Sequence, residues 1–214
     1  MEKTIADLLR SLKTTAGARF NASKRLSHVD KRLTALTAFT SAFIIALTVF
    51  PKFVVLTKTG QSWLELTTIA LSILLLASSV LQYASNHAVK AELFHRSALE
   101  MQELKRELQF RSAGLDEPQF MDISRRYNEV LQKYALNHDD VDFWRQQLDY
   151  RQDFQMSRWS IVCKTVKVWC AYVYPSIILF IIAAGLILVT AAALIWPETE
   201  AVQAAVNGLA SPVD

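Results

Sequence analysis

Hydrophobic positions are not spread evenly along the chain. They gather in three blocks, Leu33–Leu56, Ser62–Ala84 and Tyr172–Trp196. Each is about 20 residues or longer, enough to cross ~30 Å of hydrocarbon as a helix. The third reads YVYPSIILFIIAAGLILVTAAALIW and holds no charged residue. A core helix of a soluble domain keeps a polar face toward water, so three transmembrane helices are predicted. The first block follows the polar segment 1–32, and no small-residue cleavage site comes after it. It therefore reads as a span rather than a secretory signal peptide.

Between the second and third blocks the pattern changes to helical spacing with mixed charge. Ala91, Phe94, Ala98, Met101 and Leu108 form a heptad-like stripe that Lys105 interrupts. Glutamates and basic residues alternate on the other faces. Such a helix buries one side against a partner, which makes Phe94, Met101 and Leu108 the expected seam. It is predicted to continue from the second span without a stop. Gly114 and Pro118 mark a turn and the first turn of a following helix. There Phe120, Ile123, Tyr127, Leu131 and Tyr134 recur at helical spacing. Asn137–Asp140 (NHDD) is predicted to break that helix and cap the next. The last helix of the region carries Phe143, Trp144, Leu148, Phe154 and Trp159 and runs into the third span, where Pro175 is expected to bend it. No strand pattern is found.

The predicted protein is thus all-α and integral to a membrane, with a long helical, coiled-coil-like cytoplasmic region. Its segments are a basic N-terminal helix (1–32), a transmembrane hairpin (33–85), a cytoplasmic helical region (86–170), a third transmembrane helix (171–196) and a disordered periplasmic tail (197–214).

Charge sets the orientation. Lys3, Arg10, Lys13, Arg19, Lys24, Arg25, Lys31 and Arg32 precede the first span, whereas only Lys52 and Lys58 lie between the first two. Thirteen Lys and Arg fall in Asn86–Cys170, and none follow Trp196. Basic residues accumulate on the cytoplasmic side, so the N-terminus is expected inside and the C-terminus outside. Trp63 and Trp196 would mark the outer interface. Tyr83, Trp169, Tyr172 and Tyr174 would mark the inner one.

Candidate chemistry is sparse. No Gly-rich phosphate loop, HExxH, GxSxG or CxxC occurs. The histidines are scattered, and Cys163 and Cys170 are expected to be packing residues. Asp139, Asp140 and Asp142 read as capping and solvated acids rather than a cation site. Basic clusters beside membrane are explained by topology and anionic headgroups, so no nucleic acid is expected. Neither an enzyme nor a cofactor or metal is expected. The spans are more informative. Thr34, Thr37, Ser41 and Thr48 share one stripe of the first helix, and Glu65, Thr68, Ser72, Ser79 and Gln82 one of the second. Small polar residues serve helix–helix association and also line wet lumens. Both uses remain open.

The stretch Ala18–Leu26, ARFNASKRL, just before a first membrane helix, resembles the SLATT family of bacterial membrane effectors with two core membrane helices. The likeness continues through SVLQYASNHAVKAELFHRSALEMQELKREL and NHDDVDFW. The positions it carries are Arg19, Asn21, Ala22, Arg25 and Leu26, then His95, Leu99, Leu104, Asn137, His138 and Asp142. The resemblance implies an effector of anti-phage defence that assembles in the inner membrane and perforates or depolarises it when a partner senses infection. It implies membrane lipids, further copies of the chain and a genomically adjacent sensor or nucleotide-signalling protein as partners. A non-conducting scaffold that recruits a cytoplasmic partner is the alternative. A small transporter fits less well, because paired repeats and broken helices are missing.

The orientation is testable. A reporter active only in the periplasm is expected to be active when fused after Asp214 and silent when fused after Arg111.

Overall fold

A computed structural model describes residues 2–54, 56–112 and 114–195. The described residues are helical throughout, apart from turns and short links. Helix α1 spans Glu2–Val49. Its sequence contains no proline and a single glycine, Gly17. Pro51 then tightens the chain into a 3₁₀ turn, Phe50–Lys52. Helix α2 spans Lys58–Ser85, and the Thr57 hydroxyl caps it by accepting from the Gly60 N–H at 3.1 Å. Helices α3 (His87–Arg111), α4 (Glu117–Tyr134), α5 (Asp140–Asp149) and α6 (Arg158–Ile195) follow. The chain divides into two compact units. The first joins the α1 residues up to Lys31 with Asn86–Pro175; the second joins Arg32–Ser85 with the described residues from Ser176.

The first unit is built on the stripe of α3. Met101, Leu104 and Leu108 pack with Ile5, Leu12 and Ala16 of α1, Leu115, and Ile123 and Val130 of α4. Nearby, Ala22 and Leu26 of α1 meet Ala91 and Phe94. Lys105 does not break the α3 stripe, because Leu104 takes its place in the core. The buried face thus advances with the 3.6-residue turn rather than with a strict heptad. On α4, Ile123 is buried while Phe120, Tyr127, Leu131 and Tyr134 are half-buried around it. Asp116 caps α4 by accepting from the Gln119 N–H at 2.9 Å, with Pro118 in the first turn. Arg126–Glu107 (2.7 Å) and Lys133–Glu100 (2.5 Å) tie α4 to α3 across the surface.

Two expectations of continuous helix are corrected. Between α2 and α3, Asn86 adopts a left-handed conformation, φ 50°, which Asn tolerates better than most residues. The second correction lies beyond α5, which ends at Asp149; a turn intervenes before α6 begins at Arg158. Side chains in that turn are engaged elsewhere. Asp153 pairs with Lys13 of α1. Phe154 meets the Phe143 ring edge-on at 6.1 Å and lies under the Arg10 guanidinium at 5.7 Å. Gln155, with φ 45°, completes the reversal. Helix α6 runs through Pro175 without interruption.

In the second unit α1 and α2 meet through Leu47, Leu64 and Leu71, with Phe43, Ile44 and Leu56 beside them. Outward they present apolar residues: Phe39, Ile45, Leu66, Ile73, Leu76 and Val80 are all exposed. A helix that is apolar all round belongs in lipid or a large core. Among the described residues two helical stretches, Glu2–Lys52 and Lys58–Arg111, are long and apolar enough to cross a membrane. The third predicted span falls on the end of α6. Its anchor Trp196 and the tail 197–214 lie outside the described residues.

The α1–α3–α4 core makes a direct prediction. Leu12 and Met101 have no exposed surface, whereas Phe110 is 92% exposed. Leu12→Ala and Met101→Ala are each expected to cost about 2–5 kcal/mol, and Phe110→Ser less than about 0.5 kcal/mol. Denaturant unfolding followed by tryptophan fluorescence checks both.

Candidate functional site

The sequence gathers positive charge before the first apolar block, and the structure folds part of it inward. Arg25 lies on the face of α1 that meets α5. Its Nε donates to Asp142 Oδ1 at 2.9 Å and its Nη2 to Asp142 Oδ2 at 2.8 Å. This is the two-pronged geometry in which guanidinium and carboxylate bind most strongly. Nη2 also reaches Asp139 Oδ2 at 2.5 Å. Asp142 has no solvent exposure. One helical turn before Arg25, the Asn21 Nδ2 donates to the Asp142 carbonyl at 3.3 Å. The hydrogen bonds it donates to Asp142 hold Arg25 firmly protonated, more than offsetting its burial.

Arg19 is more deeply buried, at 3% exposure. Its guanidinium donates to the Ser97 hydroxyl of α3 and, through Nη2, to the Leu136 carbonyl at 3.2 Å. Its Nε has no hydrogen-bond partner. Burial draws its pKa down from the usual arginine range, against the opposing influence of Tyr127 and Tyr134. The side chain stays charged, since guanidinium does not deprotonate in proteins. His87, at the start of α3, is pulled below the ordinary histidine value by burial and then by Lys90 and Arg25, against Asp30.

The reading of Asp139, Asp140 and Asp142 as caps and solvated acids is corrected for Asp142, which is fully buried, and for Asp139 as a cap; Asp140 is exposed in the first turn of α5. Asp139 occupies the position before α5, yet its side chain makes no cap hydrogen bond. It turns to Arg25, and Asp142 is sealed against the same guanidinium. The reason is electrostatic: an ion pair to a half-buried arginine outweighs a bond to a backbone N–H at an exposed helix end.

The positions carried by the resemblance are therefore placed unequally. Asn21, Arg25 and Asp142 converge between α1 and α5, while Arg19 reaches Ser97 of α3 and the Leu136 carbonyl. Ala22 and Leu26 are buried beside them, and Leu104 lies in the main core. His138 stacks on Phe143 at 6.2 Å. His95 is exposed and meets Phe20 edge-on at 5.6 Å. Asn137 and Leu99 are exposed. Ser97 and Gln146 are buried polar residues of the same region that pattern reasoning passed over. Phe94, Met101 and Leu108 are buried within the chain.

The hydroxyl stripes behave differently. Thr48 donates to the Ile44 carbonyl, Thr68 to Leu64, Ser72 to Thr68 and Ser79 to Leu75, each at 2.8 Å. These bonds stay inside one helix. Gln82 and Thr34 join α2 to α1, Nε2 donating to Oγ1 at 2.7 Å. Glu65 accepts from Gln61 of its own helix at 3.0 Å. Thr37 borders a small groove of about 70 Å³ between the two helices, and Ser41 is half-buried. Leu47, Leu64 and Leu71 fill most of the α1–α2 contact instead. Among the described residues no group of His, Cys, Asp and Glu is arranged to hold a metal ion. Cys163 is half-buried, but Cys170 is exposed rather than packed.

A helical unit locked by a buried ion pair and a hairpin apolar on its outer surface define a membrane protein of the two-span kind. The sequence profile of the SMODS and SLOG-associating 2TM effector domain family 5 matches residues 1–190, and the chain belongs to that family, one of the SLATT group. No curated protein and no solved structure matches it.

The ion pair makes the prediction here. Arg25→Met leaves Asp142 buried and unpaired, and is expected to cost about 3–5 kcal/mol. Arg25→Met combined with Asp142→Leu is expected to recover most of that loss, because burying two apolar groups removes the uncompensated charge. Thermal unfolding of the two singles and the double closes the cycle.

Proposed function

We propose that this protein is a membrane effector of a bacterial conflict system. In this reading it assembles in the inner membrane and perforates or depolarises it on a signal from an adjacent sensor or nucleotide-signalling protein. The infected cell is thereby arrested. The observation that carries the reading is the second unit: two spans whose lipid-ready outer surface also bears hydroxyls along one stripe of each helix. In this reading the N-terminus and the helical unit face the cytoplasm, which the distribution of Lys and Arg favours. The end of α6 crosses as a third span.

A non-conducting scaffold is the second reading. It is favoured by one fact: the hydroxyls of Thr48, Thr68, Ser72 and Ser79 already bond to their own helix and do not need water.

Depolarisation separates the two. The overexpressed or triggered protein is expected to collapse the membrane potential before lysis. Ser41→Leu and Ser72→Leu are expected to suppress that collapse while leaving insertion intact, since both favour lipid. Absence of any voltage change in infected cells, together with absence of conductance from purified protein in planar bilayers, would establish the scaffold.

A further inference from the structure

Helices α1, α3 and α5 of the first unit enclose an open groove of about 750 Å³. Its floor is α1, where Gly17 has no side chain. A Cβ at that position would lie 2.0 Å from Gln146 Cδ. The bare backbone is what admits the Gln146 side chain and hollows the surface around it. Gln146 is 5% exposed, and its amide has no hydrogen-bond partner among the described residues.

The walls are basic. Lys13, Lys24 and Lys105 all border the groove, and Asp149 is the one carboxylate that does. Asp149 is engaged by Arg145 at 3.3 Å. Lys13 is engaged by Asp153 and lies over the Tyr150 ring. Lys24 and Lys105 have no ion-pair partner among the described residues. Concave walls of one charge sign concentrate the field in the space between them. The groove's size falls in the range that holds small ligands.

We propose that this groove binds a phosphate-bearing small anion, with Lys24 and Lys105 as its principal charges and the Gln146 amide as a hydrogen-bond donor. Lysine recognises phosphate as a point charge and needs no fixed fork geometry. That suits two lysines on different helices. The site goes beyond the proposed effector role and does not rest on it, because binding is measurable whether or not the hairpin conducts.

The test uses the full chain in phosphatidylcholine nanodiscs, titrated calorimetrically with tripolyphosphate. Saturable binding that weakens as salt rises is expected. Lys24→Ala and Lys105→Ala should each weaken it about tenfold, as loss of one charge-assisted bond does. Lys3→Ala, an exposed cation on α1 outside the groove, should leave it unchanged. No saturable binding, or an affinity that survives the Lys24→Ala/Lys105→Ala double substitution, would overturn the proposal. Repeating the titration in phosphatidylglycerol nanodiscs identifies the source of the phosphate. Affinity retained there points to a soluble ligand. Affinity lost there, at a salt concentration that screens the surface charge of the bilayer, points to lipid headgroups seated in the same groove.

Discussion

The contact between Arg25 and Asp142 is the constraint on which the first unit turns. A carboxylate without solvent exposure tolerates ionisation only where a cation and hydrogen bonds replace water. Arg25 supplies both through its fork, and Asn21 secures the backbone of the same residue. The pair fixes the position of α5 on α1, and with it the placing of Gln146 over Gly17. It therefore specifies one arrangement of helices more than it adds net stability, since an apolar pair of similar volume would hold the same space. Arg19 extends the same logic to α3 without a carboxylate: a hydroxyl and a carbonyl take the place of water, and one donor is left over.

The two units solve opposite solvation problems. In the first, apolar residues turn inward and the charged surface is laced by short-range pairs such as Arg126–Glu107. These are worth little singly but keep α3 and α4 in register. In the second, the leucines at the α1–α2 contact are few and the larger apolar residues turn outward. That surface is an error in water and ordinary in hydrocarbon, where every backbone group is already paired within its helix.

Much of this was legible in the chain because burial is periodic. The α3 stripe, the helix start marked by Gly114 and Pro118 and the apolar blocks all repeat local rules that operate over one or two turns. The buried ion pair was not legible for a different reason. Arg25 and Asp142 stand 117 residues apart, and each sits where a local rule offers a sufficient explanation: a cation before a span, an acid at a helix start. The same residue types serve topology, capping and buried pairing, and only the fold decides between them. Asn86 and the turn after α5 escaped for a related reason. Neither is marked by Pro or Gly: Asn86 itself tolerates the left-handed backbone, and the turn after α5 is held by the contacts of Asp153 and Phe154.

The inward-bonded hydroxyls of the two spans have a consequence for whatever touches them. Each has committed its one proton to a carbonyl of its own helix, so it shows neighbours only lone pairs. Thr48, Thr68, Ser72 and Ser79 thus present an acceptor surface of slightly negative potential, although none of them carries a charge. A neighbouring helix that brings donors can bond to it. Water there would orient with its hydrogens toward the helix, and a cation would find oxygen ligands already facing it.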